Sequence, residues 1–452
     1  MLVQFSVENF FSFKNEVCLN MIPSKKSRLM KEHILRDKAG KDISALPLAA
    51  VYGANASGKS NLVKALDFFK WFVTTGTPDK KSVIDIAPFR LDPESKSQPS
   101  RFEIVFKHKG VLYTYGFVVS ERRVQEEWLF AYYSAREVKL FERITRPDGA
   151  VEVETGTRLG SKGFIKFVEQ GTRPNQLFLK EAYEKNVKDL EPVMEWFQDC
   201  LWIIYPESEY RTLEEKAFRD MEFVRRLASF LQAMGTGIDN ICCEQEEFDL
   251  ERDLAFFRKE IKKELQQQIK KEGFKGLRLD GGKERLNLLK EDKEDPEGKV
   301  LSLKLLMEHK ASDGSMEKFE PSLESDGTRR LMHLAPMLME PREEQMVYVV
   351  DELDRSLHTL LSRKFLEAFL GAAKTGLSRK QLVFTTHDTN LLDRNLLRRD
   401  EIWFTEKDQA GSSHLTSLAE YKVADGLNYE NGYLNGRFGA IPFTGDIRAL
   451  MK

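Results

Sequence analysis

Short apolar runs broken by polar turns open the chain. Residues 1–20 read as strand, turn, strand, with Leu2, Phe5 and Val7 on one side and Phe13 to Leu19 around a polar break. The apolar run Leu46-Pro-Leu-Ala-Ala-Val-Tyr52 is followed by Leu62, Val63, Leu66 and Phe69 at helical spacing, which predicts a strand, a loop and a helix. From about 85 to 145 the texture turns β-rich. Phe102-Glu-Ile-Val-Phe106, Leu112-Tyr-Thr-Tyr-Gly-Phe-Val-Val119 and Glu127-Trp-Leu-Phe-Ala-Tyr-Tyr133 are separated by short polar turns, as in the meander of an antiparallel sheet. Residues 185–310 are charge-rich and mostly helical in character. Leu250, Leu254, Phe257, Ile261, Leu265 and Ile269 recur at spacings of three and four, predicting a helix with one apolar stripe over 247–272. That stripe ends at Gly273, well short of a long coiled coil. Residues 283–299, with Asp295, Pro296 and Gly298, read as a loop or hairpin connection. After 320, Met346-Val-Tyr-Val-Val350 and Gln381-Leu-Val-Phe-Thr385 are short apolar runs with a helix between them, the pattern of buried parallel strands.

Composition narrows the class. With 452 residues, 41% of them hydrophobic, the chain can bury a large core in two or three domain-sized units, or in one α/β domain with an insertion. A net charge of −2 supplies no global field toward nucleic acid, though a local basic groove is compatible with it. Lys262, Lys263, Lys270, Lys271 and Lys275 are interleaved with Glu260, Glu264 and Glu272, which favours a solvated helix face over a DNA footprint. Cys18, Cys200, Cys242 and Cys243 lack metal-ligand spacing and read as reduced thiols of a cytoplasmic protein. No signal-peptide pattern begins the chain, and no apolar run approaches membrane-spanning length.

Gly53-Ala-Asn-Ala-Ser-Gly58-Lys59-Ser60 then gives the predicted strand–loop–helix a chemistry. It fits the phosphate-cradling pattern G-x-x-x-x-G-K-[ST] at every fixed position. Glycines let backbone N–H groups turn inward around phosphates, and the following helix points its positive end at the same anion. Gly53, Ala54, Asn55, Ala56, Ser57, Gly58, Lys59, Ser60 and Asn61 are therefore candidate nucleotide contacts, with Lys59 reaching the β- and γ-phosphates and Ser60 ligating Mg²⁺. Asp351 and Glu352 follow an apolar strand, at the edge where α/β sheets place ligands. Asp351 suits the Mg²⁺ shell, and Glu352 suits a general base acting on water.

Further stretches resemble a known group. Glu324-Ser325-Asp326-Gly327-Thr328-Arg329-Arg330 resembles the signature loop of ABC-type ATPases, Leu353-Asp354-Arg355-Ser356-Leu357-His358 their D-loop, and Phe384-Thr-Thr-His387-Asp388 their switch-histidine loop. Taken with Phe5-Ser-Val-Glu-Asn-Phe10 and Gly436-Arg-Phe-Gly-Ala-Ile-Pro442, the set is similar end to end to the SMC/Rad50/RecF/OLD group, and within it most like the AAA15-like ATPases of the abortive-infection AbiLi or RloA type. Asp326 stands where that loop commonly has glycine. No glutamine loop is obvious; Gln176, in Arg173-Pro-Asn-Gln-Leu-Phe-Leu179, is the best candidate for it, with an ordinary loop glutamine as the alternative.

The resemblance implies a split α/β ATPase head, a mixed sheet plus an antiparallel β-subdomain. Residues 1–190 and 316–452 would flank a mainly helical insertion at 191–315. It further implies ATP and Mg²⁺ as ligands, slow ATP hydrolysis with Glu352 as base and His387 as γ-phosphate sensor, and Ser325 and Gly327 touching a nucleotide held by a second subunit. A homodimer or larger homo-oligomer follows. In this reading the protein is a sensor or regulator in anti-phage defence, controlling a separately encoded, nuclease-like effector. A DNA-repair ATPase that clamps nucleic acid and a non-hydrolysing, ATP-bound scaffold are the alternatives.

Overall fold

Alternating residues in the first half of the chain build one antiparallel sheet. The computed structural model describes residues 1–441 apart from 26–29, 31, 36–43, 211, 255–258, 270–275, 281–284, 291–298, 340–344, 375–378 and 423–425. Strands β1 (Leu2–Glu8), β2 (Val17–Asn20), β4 (Ser100–His108), β5 (Val111–Ser120), β6 (Arg123–Tyr132), β7 (Val138–Thr145) and β8 (Val151–Thr155) run in the order β2-β1-β4-β5-β6-β7-β8. The expected meander is thus present, extended by the N-terminal hairpin, which joins through β1 and β4.

A second sheet has the order β18-β17-β3-β16-β15-β9, from β3 (Leu48–Tyr52), β9 (Leu201–Ile204), β15 (Val347–Val350), β16 (Gln381–Thr385), β17 (Ile402–Lys407) and β18 (Ser413–Ser417). Its pairs are parallel except β17–β18. Every residue of β3, β15 and β16 is buried, which is why these strands read as unbroken apolar runs rather than alternations. Helix α1 (Lys59–Thr74) leaves β3 through the phosphate-loop motif. Its Phe68, Phe69 and Phe72 pack on Phe102 and Phe117 of the antiparallel sheet, and Leu62, Val63 and Leu66 share one core with Val51, Val349 and Val383. Because α1 is held on more than one side, its first turn is a rigid platform.

Helices α2 (Lys162–Gly171), α3 (Phe178–Glu184) and α4 (Glu191–Glu195) follow β8. The turn into α3 is bound by a buried ion pair. Arg143 Nη1 lies 3.3 Å from Glu127 Oε2, both side chains fully buried. Arg143 also donates to the carbonyls of Gln176 (2.6 Å), Arg173 and Pro174. Glu127 accepts from the amides of Phe178 (2.7 Å) and Leu179 (3.0 Å) at the start of α3, and from the Tyr115 hydroxyl.

Contacts divide the chain into two compact units. These sheets and helices belong to one, formed by Met1–Glu207, Pro341–Asp354 and Ser362–Lys452. The other comprises Ser208–Glu340 and Arg355–Leu361. Its boundaries fall later than the expected 191 and 315, because β9 pairs with β15 and residues 324–330 group with the insertion.

The insertion, expected to be mainly helical, also carries a sheet. Helices α5 (Leu213–Arg219), α6 (Met221–Ala233), α7 (Leu250–Asp253), α8 (Lys259–Ile269) and α9 (Asp326–Met339) accompany a five-stranded antiparallel sheet. It contains β10 (Asn240–Glu247), β11 (Gly276–Asp280), β12 (Arg285–Lys290), β13 (Val300–Lys310) and β14 (Met316–Phe319), in the order β10-β13-β12-β11 with β14 beside β13. The charged residues of β10 and β14 stand in solvent, so these strands carry the composition of a solvated helix. Of the striped helix expected over 247–272, α7 and α8 are described, with Leu254 and Leu265 buried; Phe257, Lys270, Lys271, Glu272 and Lys275 lie outside the described residues. Lys263 and Glu264 are both exposed on α8, as a solvated face requires. The segment read as a loop at 283–299 contains β12, while 291–298 lies outside the described residues.

Helix α10 (Thr359–Lys374) joins β15 to β16, and α11 (Tyr429–Leu434) closes the described C-terminal part. There the glycine-rich turn packs on the core, with Phe438 and Tyr433 stacked on Phe404.

Candidate functional site

The phosphate-loop motif forms a turn between the end of β3 and the first turn of α1. Two glycines are required sterically. A Cβ on Gly53 would run into the Thr405 carbonyl, and one on Gly58 would sit 2.5 Å from Ser413 Oγ; Gly58 also has φ +119°. Hydroxyls brace the loop from behind. Ser57 Oγ lies 2.6 Å from Thr405 Oγ1 on β17, and Ser413 Oγ on β18 donates to the Ser57 carbonyl at 2.6 Å and lies 2.8 Å from Ser12 Oγ. Asn61 Nδ2 donates to the same Ser12 Oγ at 2.7 Å.

Lys59 lies over the loop and donates to the carbonyls of Gly53 (2.8 Å) and Ala54 (3.1 Å). Burial lowers its pKa to about 8, a fall opposed by the carboxylates of Asp351, Glu352 and Asp354. Ser60 Oγ donates to Asp351 Oδ1 at 3.1 Å, so the first turn of α1 meets the end of β15. Thr385, the last residue of β16, donates from its hydroxyl to the same Oδ1 at 2.6 Å. Its Oγ1 accepts from the Glu352 amide at 2.8 Å, and its carbonyl from the Leu353 amide at 3.0 Å. Glu352 turns through φ +48°, a conformation that side-chain-bearing residues adopt at a cost. The His387 amide donates to Asp354 Oδ2 at 3.3 Å. Enclosure by protein and the nearby Lys59 charge hold the His387 ring below its ordinary pKa, against Asp354, Glu352 and Asp351.

One set of predicted residues therefore converges at the carboxyl edge of the parallel sheet: Gly53 to Asn61, Asp351, Glu352 and His387. Ser60 Oγ and Asp351 are hard oxygen donors at hydrogen-bond distance, a donor set that fits Mg²⁺ completed by phosphate and water. Ser325 and Gly327 belong to the other compact unit. There Ser325 Oγ accepts from the Thr328 amide at 3.1 Å and caps α9, and a Cβ on Gly327 would come 2.7 Å from the Ser356 carbonyl.

Gln176 does not belong to the site. Its side chain is buried against Gly76, just beyond the C-terminal end of α1, and the helix of 16 residues puts about 24 Å between that end and the phosphate loop. Sequence reasoning missed Ser12, Thr385, Thr405 and Ser413. Their hydroxyls reach the site from strand ends and turns far apart in the chain, and no spacing could have announced them. It also missed a cavity of about 380 Å³ that includes Ser12 and Asn61 and is lined further by Phe11, Phe89, Arg90 and Lys407.

No curated protein matches the sequence. Among solved structures, the SMC head domain from Thermotoga maritima is 12% identical with a TM-score of 0.35, over 92% of this chain and 98% of that one. An SMC head bound to the C-terminal winged-helix domain of ScpA is 14% identical with a TM-score of 0.36, over 92% and 97%. The recombination mediator RecF, in the structure titled RecF-ATPrS, is 13% identical with a TM-score of 0.29, over 92% and 98%. A family profile described as "AAA domain, putative AbiEii toxin, Type IV TA system" matches residues 48–196 and 208–393, well over half of the sequence. The chain belongs to this AAA-domain family.

Proposed function

We propose that the chain binds ATP with Mg²⁺, hydrolyses it, and uses the cycle to close and open a two-fold dimer of ATPase heads. The observation that carries this reading is the meeting of Ser60 and Asp351, 291 positions apart, beside a lysine pulled over a glycine-bounded loop. The loop amides and the N-terminus of α1 hold the phosphates, and Lys59 offsets their charge. Ser60 and Asp351 would hold Mg²⁺, which would supply charge neutralisation at the phosphates. Glu352 takes a proton from the attacking water, and neutral His387 donates a hydrogen bond to the γ-phosphate. Ser325 and Gly327, at the capped start of α9, contact the nucleotide of a second copy.

The toxin and toxin–antitoxin wording of the family description supports a defence role over DNA repair, and the role proposed is of the AAA15-like, abortive-infection kind. In that role the ATPase regulates a separately encoded, nuclease-like effector. Mass photometry tests the switch: ATP–Mg²⁺ should at least double the mass, and phosphate release should accompany it. An unchanged mass without phosphate release would leave a static scaffold as the better account.

The cavity beside Ser12 and Asn61 suits the nucleoside, with Phe11 and Phe89 as apolar walls and Arg90 and Lys407 as cations. Stacking on one aromatic ring is worth about 1–3 kcal/mol per base, so Phe11→Ala should weaken ATP binding roughly 5- to 150-fold. Affinity for inorganic triphosphate should stay within about twofold, measured by competition against a fluorescent ATP analogue. Equal losses for both ligands would move the base elsewhere.

The Lys59 pKa sets a pH dependence. Below about 8 the ammonium is charged and ready for the phosphates; above it, binding must take up a proton. Affinity for the ATP analogue should therefore be flat from pH 6.5 to 7.5. It should then weaken by about tenfold per pH unit above 8, toward the higher pKa of the complex. Lys59→Met should bind weakly and lose this slope.

A further inference from the structure

One hydroxyl, that of Thr385, engages both carboxylate-bearing residues at the end of β15. It donates to Asp351 Oδ1 at 2.6 Å and accepts from the Glu352 amide at 2.8 Å, while the carbonyl of the same residue takes the Leu353 amide at 3.0 Å. Three consecutive residues of the acidic turn are thus gripped by a single residue of the neighbouring strand. Thr385 is itself buried, and its backbone pairs with Val51 on β3, the strand that leads into the phosphate loop. We propose that Thr385 is a positioning residue for nucleotide hydrolysis, fixing Asp351 and Glu352 relative to the phosphate loop through its hydroxyl.

A hydroxyl donating to Oδ1 fixes the rotation of the Asp351 carboxylate, and Ser60 Oγ donates to the same oxygen from α1. Outer hydrogen bonds of this kind orient metal-ligating carboxylates and raise the precision of the site. The same hydroxyl also constrains the backbone. Glu352 stands at φ +48°, and such a conformation persists where its surroundings over-determine it. The bond from its amide to Thr385 Oγ1, with the Leu353 amide bonded one residue later, supplies that constraint. A valine at 385 keeps the shape and β-strand preference of threonine but removes both hydroxyl bonds.

The inference rests on the hydrolytic reading above, and the test separates the two. Phosphate release by the wild-type protein comes first; its absence would sink the hydrolytic reading itself. With wild-type turnover in hand, Thr385→Val should lower kcat about 10- to 100-fold. KM and fluorescent ATP-analogue affinity should stay within about twofold, and the Mg²⁺ concentration for half-maximal binding should rise. Thr385→Ser, which keeps the hydroxyl, should restore at least half of the wild-type kcat. Hydrogen exchange supplies a readout independent of turnover. In Thr385→Val the peptide containing the Glu352 and Leu353 amides should exchange at least tenfold faster, with peptides from β1 to β6 unchanged. Wild-type kcat and unaltered exchange in Thr385→Val would overturn the proposal. So would a serine variant as impaired as the valine one, or a uniform rise in exchange across the unit, since each would mark a packing role.

Discussion

Glu352→Gln is expected to cut phosphate release by about 10²- to 10⁴-fold while nucleotide affinity stays within about threefold. Glutamine keeps the length and shape of the side chain. The backbone bond from residue 352 to Thr385 Oγ1 is likewise untouched, so the turn at the end of β15 should hold. What disappears is a basic oxygen able to take a proton from water. Binding depends instead on the loop, Lys59, Ser60 and Asp351, and none of these is altered. If the dimer closes on ATP and opens on hydrolysis, the variant should also stay in the larger mass state once ATP–Mg²⁺ is added. Steady-state phosphate release and mass photometry on the same samples make the check. A glutamine variant that releases phosphate at more than a third of the wild-type rate would remove Glu352 from the role of base.

Arg143→Met should give the largest loss of stability. Arg143 and Glu127 are both fully buried, and removing the cation leaves Glu127 charged in the core. Breaking such a pair from one side costs about 3–5 kcal/mol, far more than an exposed pair is worth. The carbonyl of Gln176 loses its guanidinium donor at the same time, and those of Arg173 and Pro174 keep only their backbone donors, the amides of Gln176 and Val124. A melting temperature lower by roughly 5–8 °C is expected, given an unfolding entropy of about 2.1 cal/mol/K per residue over a unit of this size. Glu127→Gln with Arg143→Met should recover part of the loss, because the remaining group is then neutral. A single variant that melts within 2 °C of wild type would mean that water enters and solvates Glu127.

How far the site was legible depends on where its determinants lie in the sequence. Gly53 to Ser60 announced themselves because a phosphate cradle needs fixed residues at fixed spacing within one short segment. Asp351 and Glu352 were readable because an apolar strand ended on them. Thr385 was not, since a threonine closing a strand is ordinary until its neighbour is known to carry Asp351. The buried strands β3, β15 and β16 stood out as short apolar runs, and the meander stood out by alternation. β10 failed the same test: its solvent-facing glutamates hid a strand behind the composition of a helix. Gln176 misled for another reason. The resemblance made it the best candidate for a glutamine loop, while the fold buries it at the far end of α1.

The placement of β3 bears on how the protein emerges during synthesis. Its two sheet neighbours, β16 and β17, lie more than 300 residues further along the chain, and the hydroxyls bracing the phosphate loop from behind arrive with Thr405 and Ser413. At about 5–20 residues per second, roughly 20–70 s separate the translation of Gly53 from that of Ser413. During that interval β3 is an apolar strand with both edges open, the kind of segment that chaperones shield and that aggregates when they do not. A ribosome stalled before residue 381 should therefore carry a nascent chain unable to retain nucleotide, however complete its Gly53–Ser60 segment.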